Sequence, residues 1–503
     1  MMTESPTIFA LSSGRPPVAI AVIRISGLRA AAALTALGVK IPEPRKAGLA
    51  RIRDPRSGEI IDEALVLWFP GPHSETGEDV AELQAHGGHA VIAAILDALA
   101  QIDGLRLAEP GEFTRRGFEN GKLDLTAVEG LADLVGAETE GQRRQAFRQM
   151  KGVLGNRAET WRQRLIQALA LVEARIDFSD EADVPEELVA PALVIARELK
   201  DEIAAALADG RRGERLRDGL VVAIAGPPNA GKSTLLNRIA KREAAIVSPH
   251  AGTTRDVIEV HLDLGGLPVT LLDTAGIRAT EDPVELEGVR RALERAAAAD
   301  LVLWVVDASG PGELLEPRDG NPCKTWILLN KTDLLTGELS RSEYKTISTL
   351  IEGPDTGLNN SLKKEVNASL SFKSELAFSF KARGPVFAES VTDKSESATR
   401  QFERIFAISL ETGKNLDALI FELERHAGRN LAGAEQSLVT RARHREALET
   451  CLAALQRAES LASAEDLLAE ELRSAAQALG RLTGRVDVED VLDVIFRDFC
   501  IGK

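Results

Sequence analysis

The stretch Gly226-Pro-Pro-Asn-Ala-Gly-Lys-Ser233 constrains this chain more than any other. The apolar run Leu220 to Ala225 before it reads as a buried strand, and Leu235 to Ala240 after it follows a helical pattern. Two glycines at this spacing, then Lys232 and Ser233, between a strand and a helix, are the context that a phosphate-binding loop requires. Backbone N–H groups of Asn229, Ala230 and Gly231, with those of the helix that begins around Thr234, can cradle phosphates. Lys232 is expected to reach the β- and γ-phosphates, and the Ser233 hydroxyl to ligate Mg²⁺.

Two further tetrapeptides follow in order. Asp273-Thr274-Ala275-Gly276 ends the strand-like run Val269 to Leu272, where a carboxylate can hold Mg²⁺ through water and the Gly276 N–H can meet the γ-phosphate. Asn330-Lys331-Thr332-Asp333 ends the apolar run Thr325 to Leu329. There a carboxylate can accept hydrogen bonds from N1–H and the exocyclic amine of guanine. Adenine offers no such pair and would leave the carboxylate unpaired. A polar turn after a strand explains any one of these tetrapeptides alone; three in this order imply a GTPase domain.

Two details bear on the chemistry. Where many small GTPases carry a water-positioning Gln, this chain has Ile277, which cannot orient water. Glu281, Asp282 and Glu285 are the candidates to replace it, although a solvated acidic opening to a helix over 286–299 accounts for them equally. Gly252-Thr253-Thr254-Arg255-Asp256 lies where a switch loop belongs, with Thr254 a second hydroxyl ligand for Mg²⁺.

With 503 residues, 44% of them hydrophobic, the chain has material for roughly two to four domains. No window approaches the ~18 continuous apolar residues of a membrane span, and no secretory signal is evident, so a cytoplasmic protein is expected. The 3 cysteines, Cys323, Cys451 and Cys500, are too widely spaced for a disulfide framework or zinc cluster. A net charge of −16 is the opposite of a general nucleic-acid footprint, so any RNA contact needs a local patch or a partner's surface.

Residues 1–121 read as a compact α+β domain, with strands at Thr7–Leu11, Val18–Ile25 and Ala64–Phe69 and a helix at Val91–Ile102. His86 and His89 flank a Gly pair without a third metal ligand and read as structural or loop residues. From Lys122 to about Arg217 the pattern is helical, broken by an acidic run at 178–183 that reads as a solvated turn. A second helical block runs from Leu438 onward. One helical domain (122–217 and 431–503) interrupted by a GTPase domain (218–430) is the economical reading; two independent helical arms are the alternative. A GTPase domain crosses the interval after its base-reading motif in about 25–30 residues. Here the interval is far longer, and 337–400 is a Ser-, Lys-, Glu-, Asn- and Thr-rich stretch that reads as a disordered or loosely folded insertion. Ser409 and Leu410 then sit where a guanine-backing loop belongs.

The P-loop Asn229, the 252–256 switch, the flanking helical blocks and the tail Phe499-Cys-Ile-Gly-Lys503 resemble the MnmE (TrmE) family of tRNA-modification GTPases. Thr76-Gly-Glu-Asp79, Glu82-Leu-Gln-Ala-His-Gly-Gly88 and Lys122-Leu-Asp-Leu125 add to the resemblance, which covers nearly all of the chain except the insertion. It implies an N-terminal domain similar to tetrahydrofolate-binding domains, which dimerises and holds formyl-tetrahydrofolate through Arg24, Glu82, Lys122 and Lys503. Without the resemblance these four would read as salt-bridged surface charges. It also implies that GTP brings two GTPase domains face to face, with K⁺ bound near Asn229, Ser248, His250 and Thr253. The nucleotide-binding set then extends over Ser248, Pro249, His250, Ala251, Gly252, Thr253 and Thr254, the water-orienting residue is Glu285, and Cys500 is a tail thiol that faces the folate region. The implied partner is MnmG, an FAD- and NADH-dependent protein; together the two would install an aminomethyl or carboxymethylaminomethyl group at carbon 5 of the tRNA wobble uridine.

Ser409-Leu410 departs from the Ser-Ala usual in the family, and the insertion has no counterpart. A competing class is a GTP-dependent, Era-like switch that binds RNA without modifying it. That class predicts a KH-type Gly-x-x-Gly loop and a basic face, and neither is evident.

Overall fold

The computed structural model describes residues 5–177, 188–209, 211–242, 259–273, 299–309, 324–334, 402–486, 495–496 and 502. These residues form two compact units: one holds the stretches through Gly136, Ala146–Gly210 and from Arg441 onward; the other holds Ala137–Gln145 and Arg211–Thr440.

The first unit begins with a six-stranded sheet. Its strands are β1 (Thr7–Leu11), β2 (Val18–Ser26), β3 (Gly48–Arg53), β4 (Ile60–Phe69), β5 (Val80–Gly87) and β6 (Leu105–Leu107), in the spatial order β3-β4-β5-β2-β1-β6. All neighbours are antiparallel except β1 and β6. Alternate residues Ile23, Ile25, Leu83, Ala85, Ala64 and Val66 are buried with α1 (Ala30–Ala36) and α2 (His89–Ala100) on one face, as the two-residue strand period dictates. The opposite face carries Arg24 and Glu82, which the β2–β5 register sets directly across from each other.

Helices α3 (Glu112–Glu119), α4 (Leu125–Gly136), α5 (Glu140–Met150), α6 (Val153–Asp177) and α7 (Val189–Leu207) follow. The chain passes into the second unit before α5 and back within it. There, α8 (Arg212–Asp218) leads into a second sheet, built of β7 (Leu220–Ala225), β8 (Glu259–Leu264), β9 (Leu267–Asp273), β10 (Leu301–Asp307), β11 (Lys324–Asn330) and β12 (Phe402–Ala407). The order is β12-β11-β10-β7-β9-β8, parallel throughout except for the edge strand β8. Strands β7, β9, β10 and β11 are nearly continuous apolar runs because a parallel sheet is covered on both faces. Leu235, Leu236 and Ile239 of α9 (Lys232–Arg242) and Leu419, Leu423 and Ala427 of α10 (Leu416–Asn430) complete this core.

The remaining helices, α11 (Ala442–Glu459) and α12 (Glu465–Thr483), return to the first unit and pack with α6 and α7 as a bundle. The first turn of α11 buries a charged cluster. Glu129 of α4, only 2% exposed, takes Arg443 at 2.7 Å and His444 Nε2 at 2.6 Å, while Arg441 reaches Asp133 at 2.6 Å.

The expected borders at 217/218 and 430/431 differ from this division: the segments 137–145, 211–217 and 431–440 belong with the nucleotide unit. The reason is local packing. Leu216 is buried with Leu431, Ala434 and Leu267, the Gly141 N–H donates to Gly266 O, and Gln145 Nε2 donates to Gly213 O and Ala434 O. The expected insertion at 337–400 and the acidic run at 178–183 lie outside the described residues.

Candidate functional site

The loop between β7 and α9 runs through three positive-φ backbone positions, Gly226 (φ +140°), Asn229 (φ +61°) and Gly231 (φ +105°). Gly231 permits no side chain: a Cβ there would stand 2.4 Å from Asn330 Nδ2. Lys232, 9% exposed, curls back over the loop and donates to Gly226 O at 2.9 Å and Pro227 O at 2.8 Å. Burial holds its pKa below the usual lysine value, against the pull of the Asp273 carboxylate. The Ser233 hydroxyl donates to Asp273 Oδ2 at 2.7 Å. Asp273, 1% exposed, ends β9, and the β7–β9 register aligns it with Ile224, next to the loop.

The expected base-reading side is assembled from the ends of β11 and β12. Asn330 Nδ2 donates to Ala230 O at 2.8 Å, and Asn330 Oδ1 accepts the Leu410 N–H at 3.1 Å, so one amide joins three segments. Ser409 Oγ donates to Asp333 Oδ1 at 2.5 Å and accepts the Thr412 N–H at 3.1 Å. Thr332 Oγ1 donates to Ile408 O at 2.9 Å, and Lys331 Nζ pairs with Asp307 Oδ2 at 2.5 Å. Leu410, which departs from the family's usual Ala, is 3% exposed and belongs to the core; its N–H is the part that faces Asn330. Asn229, Ala230, Gly231, Lys232, Ser233, Asp273, Asn330, Lys331, Thr332, Asp333, Ser409 and Leu410 thus gather at the carboxyl ends of the strands, the edge where open α/β sheets bind ligands. Thr234 follows on α9.

Residues 248–254, Thr274, Ala275, Gly276, Glu285, Cys500 and Lys503 lie outside the described residues. Asp307 is the residue of this edge that the motif reading does not include. The apolar run Leu301–Val306, ending in Asp307, was the available signal, since it repeats the strand-then-carboxylate pattern of Leu267–Asp273.

In the first unit, Arg24 gives Nη2 to Glu82 Oε1 at 3.0 Å and Nη1 to Glu75 Oε2 at 2.9 Å, with its guanidinium 5.7 Å from the Phe113 ring centroid. Lys122 is exposed and borders the same turn as Glu75: a Cβ added at Gly77 would stand 3.3 Å from Lys122 Cε. That turn is fastened by Ser26 to Thr76 and Glu78, and by the buried Arg116, which binds Glu78 and Glu112. Gly502 is buried where a Cβ would lie 2.2 Å from Leu11 O, beside the end of β1. His86 pairs with Asp62 at 2.8 Å, and His89 starts α2. No group of three metal-ligating side chains occurs among the described residues.

A phosphate loop at a parallel sheet's edge, with a strand-end Asp and an Asn-Lys-Thr-Asp turn held by a following Ser, defines the class of P-loop GTP-binding proteins. The comparisons with known proteins narrow the class. The family model of the MnmE helical domain matches residues 125–500, and that of the GTP-binding protein TrmE N-terminus matches residues 7–122. The chain is 51% identical over 506 residues to a tRNA modification GTPase MnmE of Rhodopseudomonas palustris, with 100% of both chains covered. It is 52% identical over 506 residues to one of Bradyrhizobium sp., again with 100% of both covered. It is 51% identical over 506 residues to one of Parvibaculum lavamentivorans, with 99% of this chain and 100% of that one covered. The chain belongs to the MnmE family. A solved GTP-binding protein of Sulfolobus solfataricus in complex with GDP is similar at 16% identity over 66% of this chain and 84% of that one, with a TM-score of 0.24, too remote for any residue to be carried across.

Proposed function

We propose that this protein is a GTP hydrolase that acts in tRNA modification, the activity its relatives' names carry. The observation that supports guanine as the base is the Asp333 carboxylate, fixed through one oxygen by Ser409 in a turn that Asn330 ties to the phosphate loop. Mg²⁺ suits the Ser233 hydroxyl, with Thr254 from the switch loop as a second hydroxyl ligand and the adjacent Asp273 carboxylate holding the ion through water. Bound there, it would neutralise phosphate charge during transfer. Glu285 would orient the attacking water in place of the absent Gln, and Asn229 with Ser248, His250 and Thr253 would hold K⁺.

The wider reading follows the family. The N-terminal part would be a folate-binding-like domain in which Arg24, Glu82, Lys122 and Lys503 hold formyl-tetrahydrofolate as the one-carbon source. The mixed charges around Arg24, with Phe113 beneath its guanidinium, suit an anionic glutamate tail and a flat pterin. The protein would dimerise through that part, pair with MnmG, and modify carbon 5 of the wobble uridine in the cytoplasm. No helix among the described residues is long and apolar enough to cross a membrane.

The test is GTP turnover by the purified protein in K⁺ and in Na⁺ at equal ionic strength, together with wobble-nucleoside analysis of tRNA from cells lacking the protein. Stimulation by K⁺ and loss of the carbon-5 modification are expected. Absence of GTP turnover in both salts, or unchanged wobble nucleosides, would overturn the reading.

A further inference from the structure

Asp307 ends β10, directly opposite Asn330 in the parallel β10–β11 register. Its two oxygens have separate tasks. Oδ1 accepts both the Ser309 N–H at 2.9 Å and the Ser309 hydroxyl at 2.7 Å, which fixes the carboxylate plane. Oδ2 takes the Lys331 ammonium at 2.5 Å. The Ala308 N–H donates to Asn330 O at 2.8 Å, so backbone and side chain clamp the start of the base-reading turn to β10.

Lys331 itself carries φ +63°, a left-handed conformation that disfavours a long side chain with a Cβ. Strain of this kind persists where the surroundings impose it, and it gathers at ligand sites. Here the imposing contacts lie on both sides: Asn330 is held by Ala230 and Leu410, Thr332 by Ile408, and the Lys331 side chain by Asp307. Without the carboxylate, a four-carbon stem ending in a strongly hydrated ammonium would have no reason to keep one direction.

We infer that Asp307, braced by Ser309, is a positioning residue for guanine-nucleotide binding, acting by fixing the direction of Lys331 at the mouth of the base-reading turn. The inference rests on the GTP-binding reading above. It makes the end of β10 a third anchor of the site, beside the phosphate loop and the Asn330–Asp333 turn. Asp307 acts through Lys331, the side chain its Oδ2 holds. Its burden falls on binding, and turnover at saturating GTP is left alone.

The test is a double-mutant cycle on the full-length protein, with dissociation constants for a fluorescent GDP and steady-state GTP hydrolysis as readouts. Asp307→Ala should weaken GDP about fivefold and raise the KM for GTP alike, with kcat unchanged. In a Lys331→Ala background the same change should have no further effect, because the residue acts through the lysine. Asp307→Glu, which can still reach the ammonium, should recover part of the affinity. Equal losses from Asp307→Ala with and without Lys331 would overturn the inference and assign the carboxylate a general structural role, as would a fall in kcat at unchanged KM. If Asp307→Ala unfolds the chain, Ser309→Ala, at an exposed position, carries the test with a smaller loss in the same direction. Failure of the wild-type protein to bind GDP would instead refute the GTP-binding reading.

Discussion

The Ser233 hydroxyl and the Asp273 carboxylate meet at 2.7 Å although they lie on different strand–helix units of the chain. The sheet brings them together: β7 and β9 are neighbours, and the register that aligns Ile224 with Asp273 puts the phosphate loop and the second strand end side by side. A hydroxyl beside a carboxylate is the oxygen pair that would hold Mg²⁺, the hydroxyl directly and the carboxylate through water. Ser233→Ala, at an exposed position, should leave the melting temperature unchanged and lower Mg²⁺-dependent GTP turnover by at least about tenfold. Phosphate-release assays across a Mg²⁺ titration check this; an unaltered Mg²⁺ dependence would remove Ser233 from the metal site.

The buried cluster at the start of α11 should govern stability. Glu129 is 2% exposed and holds the buried His444 and the half-buried Arg443, so Glu129→Ala would leave the His444 ring without its hydrogen-bond partner and Arg443 without its counter-charge. A loss of about 3–5 kcal/mol is expected. Denaturant unfolding of the full chain measures it; a change below about 1 kcal/mol would mean that water or other side chains already neutralise the cluster.

The same cluster sets a pH dependence. Burial lowers the His444 pKa below its ordinary 6.5, outweighing the opposing pull of Glu129. Burial acts to raise the Glu129 pKa, but the charges and hydrogen bonds of His444 and Arg443 prevail and hold it below the usual carboxylate range; Arg443 keeps the carboxylate charged even where His444 is neutral. For both groups the unfolded chain binds more protons in the window between the folded and unfolded pKa values, so stability rises with pH there. Unfolding midpoints should therefore fall as the pH drops below 6.5, and His444→Asn should flatten the upper part of that fall. A midpoint that rises on acidification would contradict the assignment.

Cys451 lies fully buried in α11, and burial pushes its thiol up to about 12. Alkylation at pH 8 should leave Cys451 unmodified in the native protein and label it in denaturant, as peptide mapping by mass spectrometry would read. Labelling of Cys451 at the rate of a free thiol in native buffer would show that the bundle opens far more readily than its packing indicates.

Much of this was legible in the sequence, for physical reasons that differ between the units. The run Leu220–Ala225 and the strand ends at Asp273 and Asn330 stand out because parallel strands covered on both faces must be apolar throughout, then break to polar at the ligand edge. Strand β5 in the first unit did not stand out. Its Val80-Ala-Glu-Leu-Gln-Ala-His-Gly87 alternates, with Glu82, Gln84 and His86 on the open face of the sheet, so only half of it is apolar. The pairing of Arg24 with Glu82 depends on a register between strands far apart in sequence, and Arg116 joins Glu78 to Glu112 only in three dimensions. The extra segments in the nucleotide unit, 137–145 and 431–440, were hidden for another cause. They are helical or loop-like in pattern, and the contacts that place them, such as Leu431 and Ala434 against Leu216 and Gln145 to Ala434 O, join residues far apart in sequence.

Base recognition by Asp333 is the claim on which the nucleotide reading turns, and one pair of proteins tests it most directly. Hydrolysis of GTP, XTP and ATP should be measured for the wild type and for Asp333→Asn, a change at an exposed residue that Ser409 can still bond. The wild type should use GTP and leave XTP and ATP nearly untouched, while Asp333→Asn should lose GTP and gain XTP, because xanthine replaces the exocyclic donor with an acceptor. Equal use of ATP and GTP by the wild type, or undiminished preference for GTP in Asp333→Asn, would contradict the assignment of this edge as a guanine site.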